Sequence, residues 1–185
     1  MDILYRVGKV EDSAKIGEGI DKASGGILEF LFHDLVDNQT PGQVMTELLR
    51  GQVGNESYEN AIVAEYENEV IGIVYSYPSK FHEISEETRK FFPGDRLRFL
   101  ADFYNSRVDD SLFLDSIYID EKFRGHGIGK KLIALTKEKA KNQGYKKLSL
   151  MVMSDNYIAR RAYESSNFTI VKHINVKEHW LIPNK

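Results

Sequence analysis

The sequence predicts a mixed α/β domain whose sheet has both antiparallel and parallel neighbours. Three observations carry this. Two β-branched runs, Ala61 to Tyr66 and Val70 to Tyr77, are separated only by Glu67-Asn68-Glu69, a loop short enough to make them an antiparallel hairpin. A strand-like run (Leu112 to Ile119), a helical pattern (Ile128 to Gln143) and a second strand-like run (Lys147 to Met153) follow one another. That order implies a right-handed parallel crossover. No linker, repeat or low-complexity segment divides the 185 residues, so one domain is expected over 1–185.

The elements follow in order. Ile3 to Val7 reads as a first strand, and Glu11-Asp12-Ser13 opens a helix with acids suited to its positive end. Ser24-Gly25-Gly26 breaks that helix, and Ile27, Leu28, Phe30, Leu31 and Leu35 resume at helical spacing over Ile27 to Val36. Pro41 suits a first helical position, with Val44, Met45, Leu48 and Leu49 as the apolar stripe before Gly51. Pro78 ends the hairpin. Residues 79–110 are charged and aromatic, with helices expected over Glu83 to Phe92 and Arg96 to Tyr104. They read either as a binding loop or lid, or as a surface insertion or oligomer contact. Ile128 to Gln143 turns Ile128, Leu132, Leu135 and Ala140 inward, and Gly144 supplies a left-handed stop. Ser154 or Asp155 can cap a helix over Asn156 to Ser166, and Phe168 to His173 and Val176 to Ile182 are expected as closing strands.

Composition narrows the function. A net charge of −3 without a basic block gives no nucleic-acid footprint. The absence of cysteine excludes disulfides, thiolate metal sites and a cysteine nucleophile, and no metal is expected. No apolar run approaches the ~18 residues of a membrane span, and the start lacks a basic, then apolar leader. A soluble, cytoplasmic protein is the expectation, with no membrane partner.

The stretch from Ser111 to Gly129 carries the chemistry. An apolar strand runs through a charged turn and glycines into a helix start, where unpaired N–H groups and the macrodipole favour an anion. The P-loop pattern fails, because Arg124 stands where its first glycine belongs and Lys131 where its hydroxyl belongs. The dinucleotide fingerprint fails at Lys130, where a third glycine is needed. Arg124-Gly125-His126-Gly127-Ile128-Gly129 matches Arg/Gln-x-x-Gly-x-Gly/Ala at every specified position. Downstream, Asn156, Ala159 and Tyr163 are followed by Asn167-Phe168, close to Asn-x-x-Ala-x-x-x-Tyr-x-x-x-Gly-Phe. Asn167 replaces the usual glycine, a mild departure because Asn tolerates the left-handed conformation.

On these two motifs the chain resembles the GNAT superfamily of acetyl-CoA-dependent N-acetyltransferases, over about residues 60–182. The resemblance implies a mostly antiparallel central sheet with a parallel pair at the cofactor site and helices on both faces. It implies that Ile117, Tyr118 and Ile119 lie along the pantetheine arm, with backbone groups of Ile117 and Ile119 bonding its amides. Arg124 and the amides of Gly125, His126, Gly127, Ile128, Gly129 and Lys130 would hold the pyrophosphate. Tyr163 would protonate the leaving sulfur, and Asn156 would bond the pantetheine or a site water.

Amine acetylation also needs a base, because an amine with a pKa of about 10 is mostly protonated at neutral pH. Asp115 is the candidate: strand alternation puts it on the face of Ile117 and Ile119, and an unpaired carboxylate in an apolar strand is costly. A structural carboxylate, paired with an arginine or capping backbone N–H groups, is the other reading. Glu29, Asp34 and Glu121 are weaker candidates, and His126 is not expected to be catalytic. The expected reaction moves an acetyl group from acetyl-CoA to a primary amine of a small molecule or peptide through a tetrahedral intermediate. A non-catalytic acyl-CoA-binding or partner-binding module of the same fold is the alternative. The acceptor rim, with Phe30, Phe32, Tyr75, Tyr77, Phe81, Phe103 and Tyr104 among interspersed acids, suits a cationic amine with an apolar body. The last strands and the insertion offer surfaces for a homodimer.

Overall fold

A computed structural model describes residues 1–176 and 179–182. Five strands form one sheet in sequence order: β1 (Leu4–Val7), β2 (Ala61–Tyr66), β3 (Glu69–Pro78), β4 (Leu112–Ile119) and β5 (Leu148–Leu150). The first three junctions are antiparallel and β4–β5 is parallel. The β2–β3 turn places Glu67 and Asn68 at φ 52° and 66°, the positive values a two-residue hairpin loop requires.

Helices cover both faces. On one, α1 (Ser13–Ala23) and α3 (Pro41–Gly51) bury Ile16, Ile20, Met45 and Leu49 against Val63, Ile73 and Tyr75. The start of α3 is fixed by Thr40, whose side chain accepts from the Gln43 amide while Gln43 reaches back to the Thr40 amide. On the other face, α7 (Ile128–Asn142) and α8 (Tyr157–Glu164) bury Ile128, Leu132, Ile133 and Tyr163 against Ala64, Ile71, Val74 and Leu114. Lys139 of α7 ties that face to the sheet. Its Nζ donates to the Asn60 carbonyl (2.8 Å) and to the carbonyl and Oγ of Ser76 (3.0 and 3.1 Å), and burial lowers its pKa to about 8.

The insertion forms three short helices, α4 (Glu86–Phe91), α5 (Gly94–Phe99) and α6 (Ala101–Tyr104), where two were expected. It is packed rather than free-standing. Leu97 and Leu100 join Phe30, Leu31 and Phe32 of α2 (Ile27–Phe32) and Ile182 in a third core, and Arg96 donates to the Leu31 carbonyl at 2.8 Å. Phe30, Phe32 and Tyr75 are therefore core residues rather than an acceptor rim.

The closing strands differ from expectation. Phe168 to His173 adopts no strand, and Ile170 and Val171 are exposed. β5 is only three residues long, and a β-branched run without a ladder partner has only propensity to hold it extended. His179 and Ile182 close a tight turn through an isolated bridge, while the middle of the expected Val176 to Ile182 strand lies outside the described residues. No helix among the described residues is long and apolar enough to cross a membrane.

Candidate active site

The parallel ladder of β4 and β5 has three rungs, ending at Leu114–Leu150. Among the described residues no strand lies beside the β5-facing edge of β4 from Asp115 to Ile119, while the other edge stays paired to β3 as far as Gly72–Ile119. An open edge of this kind accepts an extended ligand as it would accept a strand. Ile117, Tyr118 and Ile119 lie on it.

The β3–β4 register shifts at the same level. Tyr75 pairs with Ser116 and Ser76 with Leu114, leaving Asp115 as the extra residue of a β-bulge. The bulge overturns the expected facing. Ile117 and Ile119 pack with Leu114 and Ile128 on the α7 side. Asp115 instead meets Tyr77, which packs on the α1–α3 side. The Tyr77 hydroxyl donates to Asp115 Oδ1 at 2.9 Å, and Ser116 Oγ donates to Oδ2 at 2.7 Å. Among the described residues no cation pairs with this carboxylate, which sets aside the arginine-paired structural role.

Around Asp115 lies a wall of rings. His82 is 2% exposed and stacks within 4.2 Å of Phe113, 5.0 Å of Phe103 and 5.1 Å of Tyr104. Its Nδ1 lies 3.2 Å from the Tyr77 hydroxyl, and among the described residues its buried Nε2 makes no hydrogen bond of good geometry. Burial holds the imidazole below its usual pKa, with the Asp115 charge and the nearby Phe103 carbonyl opposing. A second carboxylate, Glu56, accepts from the Tyr75 hydroxyl at 2.7 Å. Burial pushes Glu56 up to about 6 against that hydrogen bond, with the Asp115 charge adding to the rise. Burial, then the charges of Asp115 and Glu56, hold the Tyr104 phenol well above its usual range. The site thus concentrates negative charge in an aromatic setting, and among the described residues no cation pairs with either carboxylate. A cleft of about 650 Å³ in the insertion, lined in part by Arg89, Arg98 and Arg107, adjoins this wall through Tyr104.

At the far end of β4, the chain turns through Glu121–Phe123 and enters α7 by the glycine loop. Gly125 and Gly127 take φ of 82° and 79°, which a Cβ disfavours. Among the described residues, none of the amides from Gly125 to Lys130 has a protein acceptor, and the first turn of α7 holds no acid. This is the donor set a pyrophosphate requires. Arg124 is turned onto its own strand: Nε donates to the Ile119 carbonyl at 3.0 Å, and the guanidinium lies 5.9 Å from the Tyr118 ring. The ring of His126 braces the loop, its Nδ1 lying 3.2 Å from the Phe123 carbonyl and 3.0 Å from that of Arg124.

Tyr163 is 8% exposed on α8, and burial raises its phenol to about 12, so it is protonated throughout the neutral range. Its hydroxyl has no protein partner among the described residues, yet it is not sealed from solvent. α8 begins one residue later than expected, with Asn156 as its own cap: Oδ1 accepts from the Ala159 amide at 3.1 Å, and among the described residues the Asn156 Nδ2 has no acceptor. The helix ends at Glu164, two residues before the expected Ser166, and the left-handed stop falls at Asn167 as expected. Asn167 has φ 62°, and the Phe168 amide reaches back to the Tyr163 carbonyl at 3.1 Å.

The other acids considered as a base lie at the surface. Glu29 faces His33, Asp34 is 82% exposed, and Glu121 is 85% exposed beside Arg124. Sequence reasoning missed Glu56, His82 and Lys139. Each gains its setting from contacts distant in sequence, and nothing in its local pattern signals it.

A family model described as the Acetyltransferase (GNAT) family matches residues 31–168. A solved acetyltransferase shares 27% identity over 91% of this chain and 90% of its own, with a TM-score of 0.64. An N-acetyltransferase from Staphylococcus aureus Mu50 superposes with a TM-score of 0.71 at 19% identity, over 94% of each chain. The polyamine N-acetyltransferase of Drosophila melanogaster superposes at 0.66 and 15% identity, covering all of this chain and 94% of its own. Curated protein sequences give no match. With well over half its length matched by the family model, this chain belongs to the GNAT acetyltransferase family.

Proposed function

We propose that the protein transfers the acetyl group of acetyl-CoA to a primary amine of a cationic small molecule or peptide. One observation carries this: at Leu114 the sheet opens and the next residue, Asp115, bulges, on the strand that ends in the unpaired amides of the glycine loop. Anion cradle, open edge and carboxylate are thereby set along one strand.

In this reading the loop amides hold the pyrophosphate, and the edge from Asp115 to Ile119 lines up the pantetheine arm. Asp115 draws a proton from the acceptor ammonium through water, freeing the nitrogen lone pair. The nitrogen attacks the thioester carbon, and a β4 N–H stabilises the oxyanion of the tetrahedral intermediate. When that collapses, the C–S bond breaks and Tyr163 gives its proton to the departing thiolate, while the second proton leaves the still cationic nitrogen through water and restores the phenol. Asp115 and Glu56 without a cation partner favour a positively charged acceptor, and the rings around His82 favour one with an apolar body. The fold likeness to a polyamine acetyltransferase is compatible with this choice.

The test is a panel of amines (agmatine, spermidine, 2,4-diaminobutyrate, amino acids and lysine peptides) assayed with acetyl-CoA by free-thiol release. Turnover with cationic amines and not with neutral ones supports the reading. Acetyl-CoA binding without thiol release across the panel indicates a binding module.

A further inference from the structure

A residue that bulges from a strand loses the ladder that would hold its side chain in one direction. Asp115 therefore depends on side-chain partners for its aim. Both of its oxygens have one, Tyr77 on Oδ1 and Ser116 on Oδ2, which leaves further lone pairs for a water or an ammonium. The Tyr77 hydroxyl has a single proton, and its short contact with a carboxylate oxygen commits that proton to Asp115. The same hydroxyl oxygen lies 3.2 Å from His82 Nδ1. With the Tyr77 proton spent, this contact is a hydrogen bond only if Nδ1 carries the ring proton. The tautomer follows from the chain of bonds. His82 Nε2 then carries the ring's lone pair, with no hydrogen bond of good geometry among the described residues.

A side chain needed only to fill the space between Phe103, Tyr104 and Phe113 would be apolar. An imidazole in that stack supplies one thing an apolar ring cannot, a directed Nδ1–H. Burial also keeps the ring neutral, as this arrangement requires.

We infer that Tyr77 and His82 are positioning residues for Asp115: His82 Nδ1–H orients the Tyr77 hydroxyl, which in turn holds the carboxylate at the bulge as the acceptor's proton sink. The inference rests on the proposed role of Asp115 as base. The groups facing Asp115 from the elements around it are Tyr77 of β3, His82 after β3, Tyr104 of α6 and Glu56 before β2, with Arg107 acting on His82. Of these, the Tyr77–His82 chain alone reaches Asp115 by hydrogen bonds, and the rest act through charge or burial.

The test uses the full chain with two readouts. In ¹⁵N NMR of the histidine rings, His82 is expected to show a protonated Nδ1 and a bare Nε2. The ¹³C carboxyl titration of Asp115 is expected to move to higher pH by about 1 unit in Tyr77→Phe, since a lost hydrogen bond to the ionised form makes protonation easier. His82→Leu is expected to move it the same way by a smaller step. His82→Asn, whose amide N–H takes the Nδ1 position, is expected to restore it. Turnover with the best amine of the panel follows the same order, with the limb that rises with pH displaced and acetyl-CoA affinity within about twofold of wild type. An unmoved Asp115 titration in both Tyr77→Phe and His82→Leu, or a proton found on Nε2, overturns the inference while leaving the base assignment standing. If Asp115→Asn instead leaves that limb intact, the base assignment fails and this inference with it.

Discussion

Leu114 and Leu150 form the last rung between β4 and β5, and Asp115, next in the chain, is the one residue of β4 that the β3 register skips. The open edge and the carboxylate beside it thus fall at one level of the strand. A bulge ends regular alternation and twists the strand, so the sheet both re-aims a side chain and frees an edge at one level.

Replacing Asp115 by Asn keeps the shape and removes the proton sink. The variant is expected to lose more than about tenfold in kcat/KM for the amine, with the limb that rises with pH flattened. Steady-state rates across pH check this, and a profile identical to wild type sends the base assignment elsewhere.

Tyr163→Phe removes a hydroxyl that bonds no protein group among the described residues and leaves its ring packed near Phe168, 5.7 Å between centroids. Stability is expected to change little, and kcat to fall by about 100-fold, the lower range for a general acid. Calorimetric titration with acetyl-CoA is expected to give an unchanged Kd. Weakened binding with unchanged kcat would make Tyr163 a packing residue.

Gly127→Ala puts a Cβ at φ 79°, with nothing within 4 Å to clash, so backbone strain acts alone. The cost is expected to be about 1 kcal/mol in stability. Acetyl-CoA affinity is expected to fall as well, because the strained loop turns its amides away from one anion. Denaturant melts and calorimetry separate the two effects.

Glu56 gives the fold a pH dependence of definite sign. Its carboxyl titrates near 6 in the native state, above its ordinary value of 4.5, so between those pH values the native chain binds more protons than the unfolded one. Stability therefore falls as pH rises through that window. Glu56→Gln is expected to be more stable than wild type at pH 7 by on the order of 1 to 2 kcal/mol, with the difference gone near pH 4. Urea melts at the two pH values check it. A difference that does not depend on pH would remove Glu56 as its source.

The sequence made one part of this site plain and hid another. The loop from Arg124 to Gly129 and the helix stop at Asn167 were legible because both are local: glycine or asparagine at positive φ, and a helix start without acids. The hairpin was legible from its loop length. The facing of Asp115 was not, because a bulge is a property of the β3–β4 pair and period-two counting along β4 alone places the side chain on the wrong face. His82 and Glu56 were hidden for a related reason. Their chemistry arises from Tyr77, Phe113 and Tyr75, which only folding brings near. The strand expected at Phe168 to His173 shows the converse, strong β propensity with no ladder to join.

The most direct measurement is product analysis by mass spectrometry with acetyl-CoA and the amine panel, with free thiol counted in parallel. The account predicts an N-acetylated cationic amine formed one-for-one with released thiol, and both formed about 100-fold more slowly in Tyr163→Phe while acetyl-CoA still binds. Bound acetyl-CoA with no acetylated amine and no thiol release from any acceptor would contradict it.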